Sequence, residues 1–487
     1  MGCESSSCAF TLDYPRRAAH PMSPPGVLML GTGEYTTGFT AQGASDSDKS
    51  TGVVALVMLD LQRKGKVGKL GMCGTDGRKL PAIRAHMQRV LGDVYTGIDP
   101  SGIATWPADG VVDRAAYREA IRAFQPGDCA IIFTPDDTHL EIASACFAHG
   151  LHVLITKPPV KTLAEHNRLA AEARAANRLG VVEVHKRFDP IYTDARDQIC
   201  AKLGDFSYFT AHMSQPKHQL ETFKAWAGRS SDISYYLNSH HVDFHEWLMH
   251  GKARPETVTG LGSDGVASAK LGLQTEDTIT LAVRWRNKAP SPRPTARDED
   301  GASQPGAKRA KVAEAAPAEA AAAAVVGERP FTGSFGHATY TSSWIAPKSD
   351  VHSQQRWFYM GHQGEVSVDQ AHRGYSIATD AGGFGSCNPL FWKPARDSLT
   401  GEFAGQRTYG YLSFEAFILA ATKCTSGDAT PETFDGALPT LSTTAGATAI
   451  LEAGRRSLDA GGRPFELVYD SDTSEVPSAI RPVQYSS

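Results

Sequence analysis

Two segments of this sequence place basic side chains where proton transfer would need them. Lys157 follows a short apolar run that predicts a buried strand, so it would lie at the carboxyl edge of a parallel sheet, where open α/β folds bind ligands. Residues 234–248 predict a helix, and Tyr236, His240 and Asp243 share one face of it. A lysine there can hold a ribose and a hydroxyl together, and a histidine can exchange the proton of a hydroxyl under oxidation. These residues predict acid–base chemistry on an alcohol, whereas a surface lysine and a structural histidine are the alternatives.

A glycine-rich turn follows the first apolar run of the chain. The run Val27 to Leu30 predicts a strand, and Gly31-Thr32-Gly33-Glu34-Tyr35 comes directly after it. Two glycines allow a tight turn and a close approach of the backbone to a pyrophosphate. Thr36 stands where the dinucleotide fingerprint has its third glycine, and Gly38 comes two residues later. The context of strand and turn predicts a dinucleotide site.

The end of the second predicted strand bears on the choice of coenzyme. A carboxylate there would accept hydrogen bonds from the ribose diol of NAD, whereas cations would pair with the 2′-phosphate of NADP. The strand ends near Cys73, and Asp76, Arg78 and Lys79 lie slightly beyond it. We predict NAD or NADP as the cofactor, with a slight preference for NADP. Solvated cations at a helix start are the alternative.

Composition excludes several classes of protein. The 487 residues carry a net charge of −4, which argues against nucleic-acid binding, and no apolar run approaches the roughly 20 residues that span a bilayer. The eight cysteines form no C-x-x-C pair, so neither a zinc site nor a disulfide framework is expected. His240, His241, His245 and His250 lack a set of Cys or carboxylate partners, so we predict no metal site. A cytoplasmic protein fits best.

Alternating strand and helix patterns position the first set of residues. They predict a doubly wound parallel sheet, a Rossmann domain, over residues 26–158, completed by a helix and a strand at 159–190. After Pro190 strands follow one another without helices between most of them. Residues 191–286 and 331–470 therefore predict an α+β domain with a large, open, mostly antiparallel sheet. Two late helices, Ser413 to Thr422 and Leu441 to Ala460, are expected to pack across that sheet.

Two segments have the composition of disordered chain, a tail at residues 1–25 and an insertion at residues 287–330, and residues 471–487 are expected to form a second tail. The N-terminus matches the myristoylation pattern, so acylation of Gly2 and Cys3 would attach the protein weakly to membranes; a plain tail is the alternative. Lys308 to Lys311 is similar to a nuclear-localisation signal, which would make the protein partly nuclear; a solubilising charge cluster is the alternative.

From Val27 to about Tyr469, without the insertion, the chain resembles the Gfo/Idh/MocA family of glucose–fructose oxidoreductases and inositol dehydrogenases. The resemblance is carried by the glycine turn, by Thr134-Pro135 with His139, by Thr156-Lys157-Pro158, by His185-Lys186-Arg187-Phe188-Asp189-Pro190 and by Ser239-His240-His241-Val242-Asp243. It implies a Rossmann domain, a second domain for substrate binding and oligomer contacts, and a homodimer or homotetramer. The implied activity is NAD(P)-dependent hydride transfer to or from a secondary alcohol of a sugar or polyol.

The resemblance also implies roles for single residues. Lys157 would bind substrate and cofactor, and His240 would be the principal acid–base group. Cofactor contacts are expected from the following residues: Gly31, Thr32, Gly33, Glu34, Tyr35, Asp76, Arg78, Thr134, Pro135, His139, Lys157 and Lys186.

Two departures from the family pattern bear on catalysis. Thr156 replaces the usual Glu beside the lysine, and Tyr236 stands four residues before His240, where many members carry Asp. A phenol can donate or relay a proton, so we predict Tyr236 as a third catalytic residue. Substrate contacts are expected from Lys157, Asn238, His241, Trp344 and Arg356, and Lys217, Trp357, Arg373 and Tyr375 are further candidates. The departures leave one alternative open, a catalytically impaired dinucleotide- or sugar-binding regulatory protein on the same fold.

Overall fold

The computed structural model describes residues 23–40, 43–45, 49–224, 226–290, 329–351, 353–380, 383–387, 394–405 and 410–484. The predicted acylation of Gly2 and Cys3, the predicted signal at Lys308 to Lys311, and most of the 1–25 and 287–330 segments lie outside these residues. Within the described ranges, no helix combines the length and the apolar character that a membrane crossing requires.

Six parallel strands form the N-terminal sheet, in the order β5-β4-β1-β6-β7-β8. The strands β1, β4, β6 and β8 are buried along their whole length, as expected for a sheet covered on both faces. The elements of the N-terminal domain are β1 Val27–Leu30, α1 Glu34–Thr37, the separate pair β2 Phe39–Thr40 and β3 Gly43–Ala44, α2 Val54–Arg63, β4 Leu70–Cys73, α3 Leu80–Met87, β5 Ala104–Trp106, α4 Ala116–Arg122, β6 Cys129–Ile132, α5 His139–Ala148, β7 His152–Thr156, α6 Leu163–Ala175 and β8 Gly180–Glu183.

The first helix of this domain is split by an insertion. The chain leaves α1 at Gly38, which has a φ of 74°. It rejoins the same helical path at Val53, whose N–H donates to the carbonyl of Tyr35 at 2.8 Å. A Cβ on Gly52 would lie 2.5 Å from the Thr36 carbonyl oxygen, so only glycine fits at this re-entry. The helix that normally follows a dinucleotide turn is therefore present, with residues 39–52 inserted into it.

The second sheet has eight strands, in the order β14-β13-β9-β12-β11-β10-β17-β18. Every neighbouring pair is antiparallel except β12 with β9. The elements that follow Asp189 in the chain are α7 Pro190–Lys202, β9 Phe206–Pro216, α8 Leu220–Phe223, α9 Ser239–Met249, β10 Ala253–Asp264, α10 Val266–Leu271, β11 Glu276–Asn287, β12 Phe335–Ala346, β13 Gln354–Gly361, β14 Gly364–Asp369, the separate hairpin β15 Tyr375–Thr379 and β16 Gly383–Cys387, α11 Leu412–Ser426, α12 Ala445–Asp459, β17 Phe465–Val468 and β18 Ala479–Pro482.

One face of this sheet is covered by helices. Phe244 of α9 and Ile450 of α12 are fully buried in one core with Trp285 and Tyr340 of the sheet. Along β11 and β12 buried positions alternate with partly exposed ones, which is the pattern of a sheet with one covered face. The mostly antiparallel α+β domain predicted from the sequence is confirmed.

Two late segments differ from the predictions. Of the two late helices, α12 packs on the second sheet, but α11 packs in the Rossmann core, where Phe414, Phe417 and Ile418 are buried. A buried polar network holds it there, because the Tyr411 hydroxyl donates to Asp60 of α2 at 2.6 Å. The segment 471–487, predicted as a tail, contains β18, which extends the second sheet by pairing with β17.

Candidate active site

Lys157 lies at the carboxyl end of β7 and points at the second domain. Its Nζ donates to the main-chain carbonyl of Tyr236 and lies 4.5 Å from the centroid of the Tyr236 ring. Burial lowers the pKa of Lys157 to about 8, and the charges of Asp136 and Glu183 oppose that shift. Lys157 thus bridges the two domains and titrates close to neutral pH, which suits a group that handles protons.

A single π-helical turn, Ser234–Asn238, presents the Tyr236 carbonyl to Lys157. The same carbonyl accepts a hydrogen bond from Ser239 Oγ at 3.3 Å. The phenol oxygen of Tyr236 accepts a hydrogen bond from Gln215 Nε2 at 3.3 Å. Turns of this kind recur at functional sites, and here the turn supplies a main-chain oxygen as the hydrogen-bond partner of the lysine.

His240 begins the regular part of α9, immediately after this turn. Its side chain is buried, and its ring centroid lies 5.2 Å from that of His185. Burial holds the pKa of His240 well below 6.5, and the nearby charge of Lys157 acts in the same direction. The imidazole is therefore neutral at physiological pH and is able to accept a proton.

An ion pair ties the His185–Phe188 turn to the histidine helix. Arg187 donates to both carboxylate oxygens of Asp243, at 2.9 and 2.7 Å, and both side chains are almost fully buried. Asp243, which the sequence places on the face of His240, therefore holds α9 against the Rossmann domain.

Lys186 and His241 belong to a buried polar network rather than to an open surface. Lys186 Nζ donates to the side-chain oxygens of Gln355 and Gln370, and burial lowers the pKa of Lys186 to about 7. The Tyr192 hydroxyl lies 3.4 Å from Lys186 Nζ and 3.3 Å from His241 Nε2. The structure thus gives protein partners to Lys186, which was predicted to bind the cofactor, and to His241, which was predicted to bind the substrate.

The glycine turn leaves room for a dinucleotide. Gly31 has a φ of 106°, and a Cβ on it would lie 2.0 Å from the Phe133 carbonyl oxygen. A Cβ on Gly33 would meet no atom within 4 Å, so its backbone faces open space. The Thr32 side chain lies against Gly74, because a Cβ there would come 2.8 Å from Thr32 Oγ1. The turn therefore has the exposed main chain that a pyrophosphate needs.

The remaining predicted coenzyme residues border this turn. The Tyr35 ring stacks on Phe133 at 4.8 Å, and the Glu34 carboxylate accepts from the Ser45 hydroxyl. His139 is fully buried, with Nε2 2.8 Å from the Thr134 carbonyl oxygen and Nδ1 3.0 Å from that of Pro158. His139 therefore joins the loop of Thr134 and Pro135 to the segment that carries Lys157.

Asp76 and Arg78 pair with each other beyond β4. Arg78 Nε and Nη2 donate to the two carboxylate oxygens of Asp76 at 2.8 and 2.9 Å. This pairing lowers the pKa of Asp76 to about 2. The arginine side chain is 67% exposed and the aspartate 19%, so both a carboxylate and a mobile cation are available beside the coenzyme site.

Three predicted substrate residues have structural partners in the protein. Asn238 Nδ2 donates to Ser234 Oγ at 3.0 Å, and Trp344 Nε1 donates to the Glu276 carbonyl at 2.7 Å. Arg356 pairs with Asp369 on an exposed strand at 2.9 Å. Among the further candidates, Trp357 is buried, Arg373 pairs with Asp189, and Lys217 and Tyr375 are exposed.

Three residues near the site have no role in the sequence analysis: His185, Gln215 and Trp226. Gln215 lies near the carboxyl end of β9 and is buried, and this strand-end position was the one signal in the sequence that could have indicated it. Trp226 lies in the connection from β9 to the histidine helix, with its ring 5.0 Å from that of Tyr236. Across the described ranges, no three His, Cys, Asp or Glu side chains are grouped as a metal site would require.

A separate polar cleft of about 630 Å³ lies behind the π-helical turn, lined by Lys161, Asp232, Tyr235, Glu276 and Arg455 among others. Arg455 pairs with Asp232, Glu276 and Asp459, so its charge is already compensated. Neither Lys157 nor His240 lines this cleft.

Known proteins share both the sequence motifs and the fold. The family model described as "Oxidoreductase family, NAD-binding Rossmann fold" matches residues 110–184, the region that contains Lys157. Over this region the chain is similar to the Gfo/Idh/MocA oxidoreductase family. It is 30% identical over 118 residues to the uncharacterized oxidoreductase YdgJ of Escherichia coli, a segment that covers 24% of this chain and 34% of that protein.

Two solved structures share the fold of this chain over most of its length. GenD2 from gentamicin A biosynthesis, in complex with NAD, has a TM-score of 0.55 at 15% identity and covers 94% of this chain and 100% of its own. Scyllo-inositol dehydrogenase from Lactobacillus casei has a TM-score of 0.56 at 12% identity and covers 91% of this chain and 98% of its own. The Rossmann domain and the second sheet are thus an arrangement found in NAD-binding oxidoreductases.

Proposed function

We propose that the protein transfers hydride between a nicotinamide dinucleotide and a secondary alcohol of a sugar or polyol. The observation that carries this proposal is the convergence of Lys157 and neutral His240 on one domain boundary, below a glycine turn with exposed main chain. The fold shared with an NAD complex and with an inositol dehydrogenase supports the classes of coenzyme and substrate.

The chemistry divides between coenzyme and protein. A bound nicotinamide supplies the acceptor for the hydrogen that leaves carbon with its electron pair. The neutral His240 ring accepts the hydroxyl proton, and the Lys157 ammonium stabilises the negative charge that develops on the oxygen. In the reverse direction the His240 imidazolium returns the proton to the carbonyl oxygen. Tyr236 holds Lys157 through its main-chain carbonyl.

The exposed main chain of Gly31 to Gly33 would hold the pyrophosphate, and Thr134 with Pro135 would border the nicotinamide ribose near Lys157. The adenosine ribose carries a 2′-phosphate in NADP and a free diol in NAD, and we keep a slight preference for NADP. Arg78 is largely exposed and needs only to rotate away from Asp76 to meet a 2′-phosphate, whereas Asp76 would serve the diol of NAD. A homodimer or homotetramer in the cytoplasm remains our prediction.

The first experiment is a fluorescence titration with NADH and with NADPH, followed by turnover assays on a panel of sugars and polyols. Lys157→Ala and His240→Ala should each lower kcat by at least 100-fold, because each removes a group that acts on the proton or its charge, and His240→Ala should retain coenzyme binding. Lys161→Ala is the matched control, since this lysine donates to the Ser230 carbonyl at 2.7 Å and lines the separate polar cleft rather than the proposed site. Full activity in both active-site variants would disprove the proposed roles.

A regulatory function is the second candidate. It is favoured by one observation, the main-chain carbonyl that replaces a carboxylate as the partner of Lys157. A regulator would bind NADH or NADPH in the same titration and turn over none of the panel. Turnover that depends on Lys157 would exclude it.

A further inference from the structure

A second histidine lies beside His240, on the turn that follows β8. The ring centroids of His185 and His240 are 5.2 Å apart, and the two ring planes are inclined at 54°. Imidazoles at this separation can exchange a proton directly or through one water molecule. The side chain of His185 is 14% exposed, whereas His240 is buried. His185 is therefore the histidine of the pair that solvent reaches more readily.

The carboxylate of Glu183 orients this second ring. Glu183 Oε2 lies 3.4 Å from His185 Nδ1, and Glu183 Oε1 accepts a hydrogen bond from the Ser413 hydroxyl at 3.0 Å. Both Glu183 and Ser413 are buried, so α11 holds the carboxylate in place from the other end of the chain. A carboxylate at one nitrogen of an imidazole fixes the orientation and the tautomer of the ring.

The same carboxylate acts on Lys157. Thr156 stands where the family pattern has a Glu beside the lysine. Glu183 is the register partner of Thr156 on the neighbouring parallel strand, β8. Its negative charge raises the pKa of Lys157 against the effect of burial. The adjacent strand thus supplies a carboxylate charge near the lysine, and one residue influences both Lys157 and the ring beside His240.

The charges around the two histidines favour movement of a proton from His240 to His185. Burial keeps the pKa of His240 well below 6.5. Four neighbouring groups lower that pKa further through their charges: Lys157, His185, Lys186 and His241. A proton on His240 is therefore opposed by its surroundings, whereas a proton on His185 faces the Glu183 carboxylate.

We propose that His185 is the proton exit of the site, which accepts the alcohol proton from His240 and releases it to water, and that Glu183 is its positioning residue. This inference rests on the proposed function, in which each alcohol that is oxidised yields one hydride and one proton. An N–H bond of the His240 imidazolium breaks, its electron pair stays on His240, and an N–H bond forms on the His185 ring. His185 then loses one proton to water, and both rings are neutral again.

The test compares proton release with hydride transfer in a single turnover. The complex with NAD or NADP, whichever binds, is mixed in dilute buffer with an alcohol from the panel. Coenzyme absorbance reports hydride transfer, and a pH-indicator dye reports the proton. The two signals should rise together in the wild type. His185→Gln should slow the proton signal about tenfold relative to the hydride signal, and added imidazole should remove the delay.

Glu183→Gln should delay the proton by a smaller factor, because the ring is kept but loses its positioning residue. If His185→Gln misfolds, the delay in Glu183→Gln decides. His149→Gln is the matched control, because His149 is also partly buried but lies 2.8 Å from the Phe124 carbonyl oxygen, and it should change neither signal. Simultaneous signals in His185→Gln, a delay that imidazole does not remove, or parallel slowing of both signals would overturn the proton exit.

An NMR titration of the histidines separates this proposal from the proposed function, because it needs no substrate. His185→Gln should move the midpoint of His240 protonation to higher pH, since the charge of His185 lowers the pKa of His240. An unchanged midpoint would overturn the proton exit. A shifted midpoint in a protein that oxidises none of the panel would support the coupling of the two histidines and disprove the proposed function alone.

Discussion

At the scale of single residues, the site depends on one lysine whose charge is held without a carboxylate in contact. The partners of Lys157 Nζ are a carbonyl oxygen and an aromatic face, and both favour the ammonium form less than an ion pair would. Burial therefore lowers its pKa to about 8. His240 beside it remains neutral. The two groups thus hold opposite protonation states over the same range of pH, as an acid and a base should.

This difference predicts the pH dependence of alcohol oxidation. As pH rises through about 8, Lys157 loses its proton, so kcat/KM should fall by up to tenfold per pH unit above that value. No matching loss is expected between pH 8 and 6.5, because the pKa of His240 lies well below that range. Steady-state rates from pH 6 to 10 measure the profile. Lys157→Arg should abolish the alkaline limb, and an alkaline limb of unchanged position in that variant would assign it to another group.

At the scale of elements, the split helix after the glycine turn shows how an insertion can be accommodated. The hydrogen bond from Val53 to the Tyr35 carbonyl keeps α1 and α2 in helical register. The inserted residues pack against α3, where His86 Nε2 lies 2.9 Å from the Ser50 carbonyl oxygen. The loop therefore adds a surface feature without changing the dinucleotide turn.

Deleting residues 39–52 should give a folded protein. The deletion makes Val53 the fourth residue after Tyr35, which is the spacing that their hydrogen bond requires in a continuous helix. We expect a melting temperature within about 5 °C of wild type and unchanged affinity for NADH, measured by circular dichroism and fluorescence titration. Deleting residues 39–51, one residue fewer, is the control and should be less stable because the register shifts. An aggregated 39–52 variant would show that the insertion is integral to the domain.

At the scale of the whole molecule, α11 makes the two domains interdependent. The chain completes its second sheet only after it has returned to the Rossmann core, where Phe414 and Phe417 are buried and Lys66 pairs with Glu415 at 2.7 Å. The coenzyme domain is therefore incomplete without residues that lie beyond 410 in the sequence.

Phe417→Ala should therefore destabilise the protein and its coenzyme site together. Truncation of a fully buried phenylalanine costs about 3–5 kcal/mol of unfolding free energy. Urea denaturation followed both by tryptophan emission and by NADH binding measures the effect. Leu419→Ala on the same helix, where the side chain is 45% exposed, should change stability by less than about 1 kcal/mol. Coenzyme binding that survives at urea concentrations that unfold the second domain would contradict this dependence.

Local sequence predicted most of the elements and placed Lys157 at a strand end and His240 on a helix. The run Val27 to Leu30, ended by glycine, is the first strand with the same bounds, because four buried apolar residues before a tight turn leave no other structure. The strand β5, Ala104–Trp106, was missed because it is a short, half-exposed edge strand without an apolar run. The Lys157 and His240 positions followed from strand ends and helical spacing, which depend only on neighbours in the chain.

The partners of those residues were decided by the tertiary structure. Lys186 is buried because Gln355 and Gln370, more than 160 residues away, supply acceptors for its ammonium. Asn238, a predicted substrate residue, is directed toward the second sheet, where its Nδ2 donates to the Ile279 carbonyl at 3.4 Å. Helical periodicity predicts which residues of one helix share a face. Burial and hydrogen bonding depend on surfaces that meet only when the chain is folded.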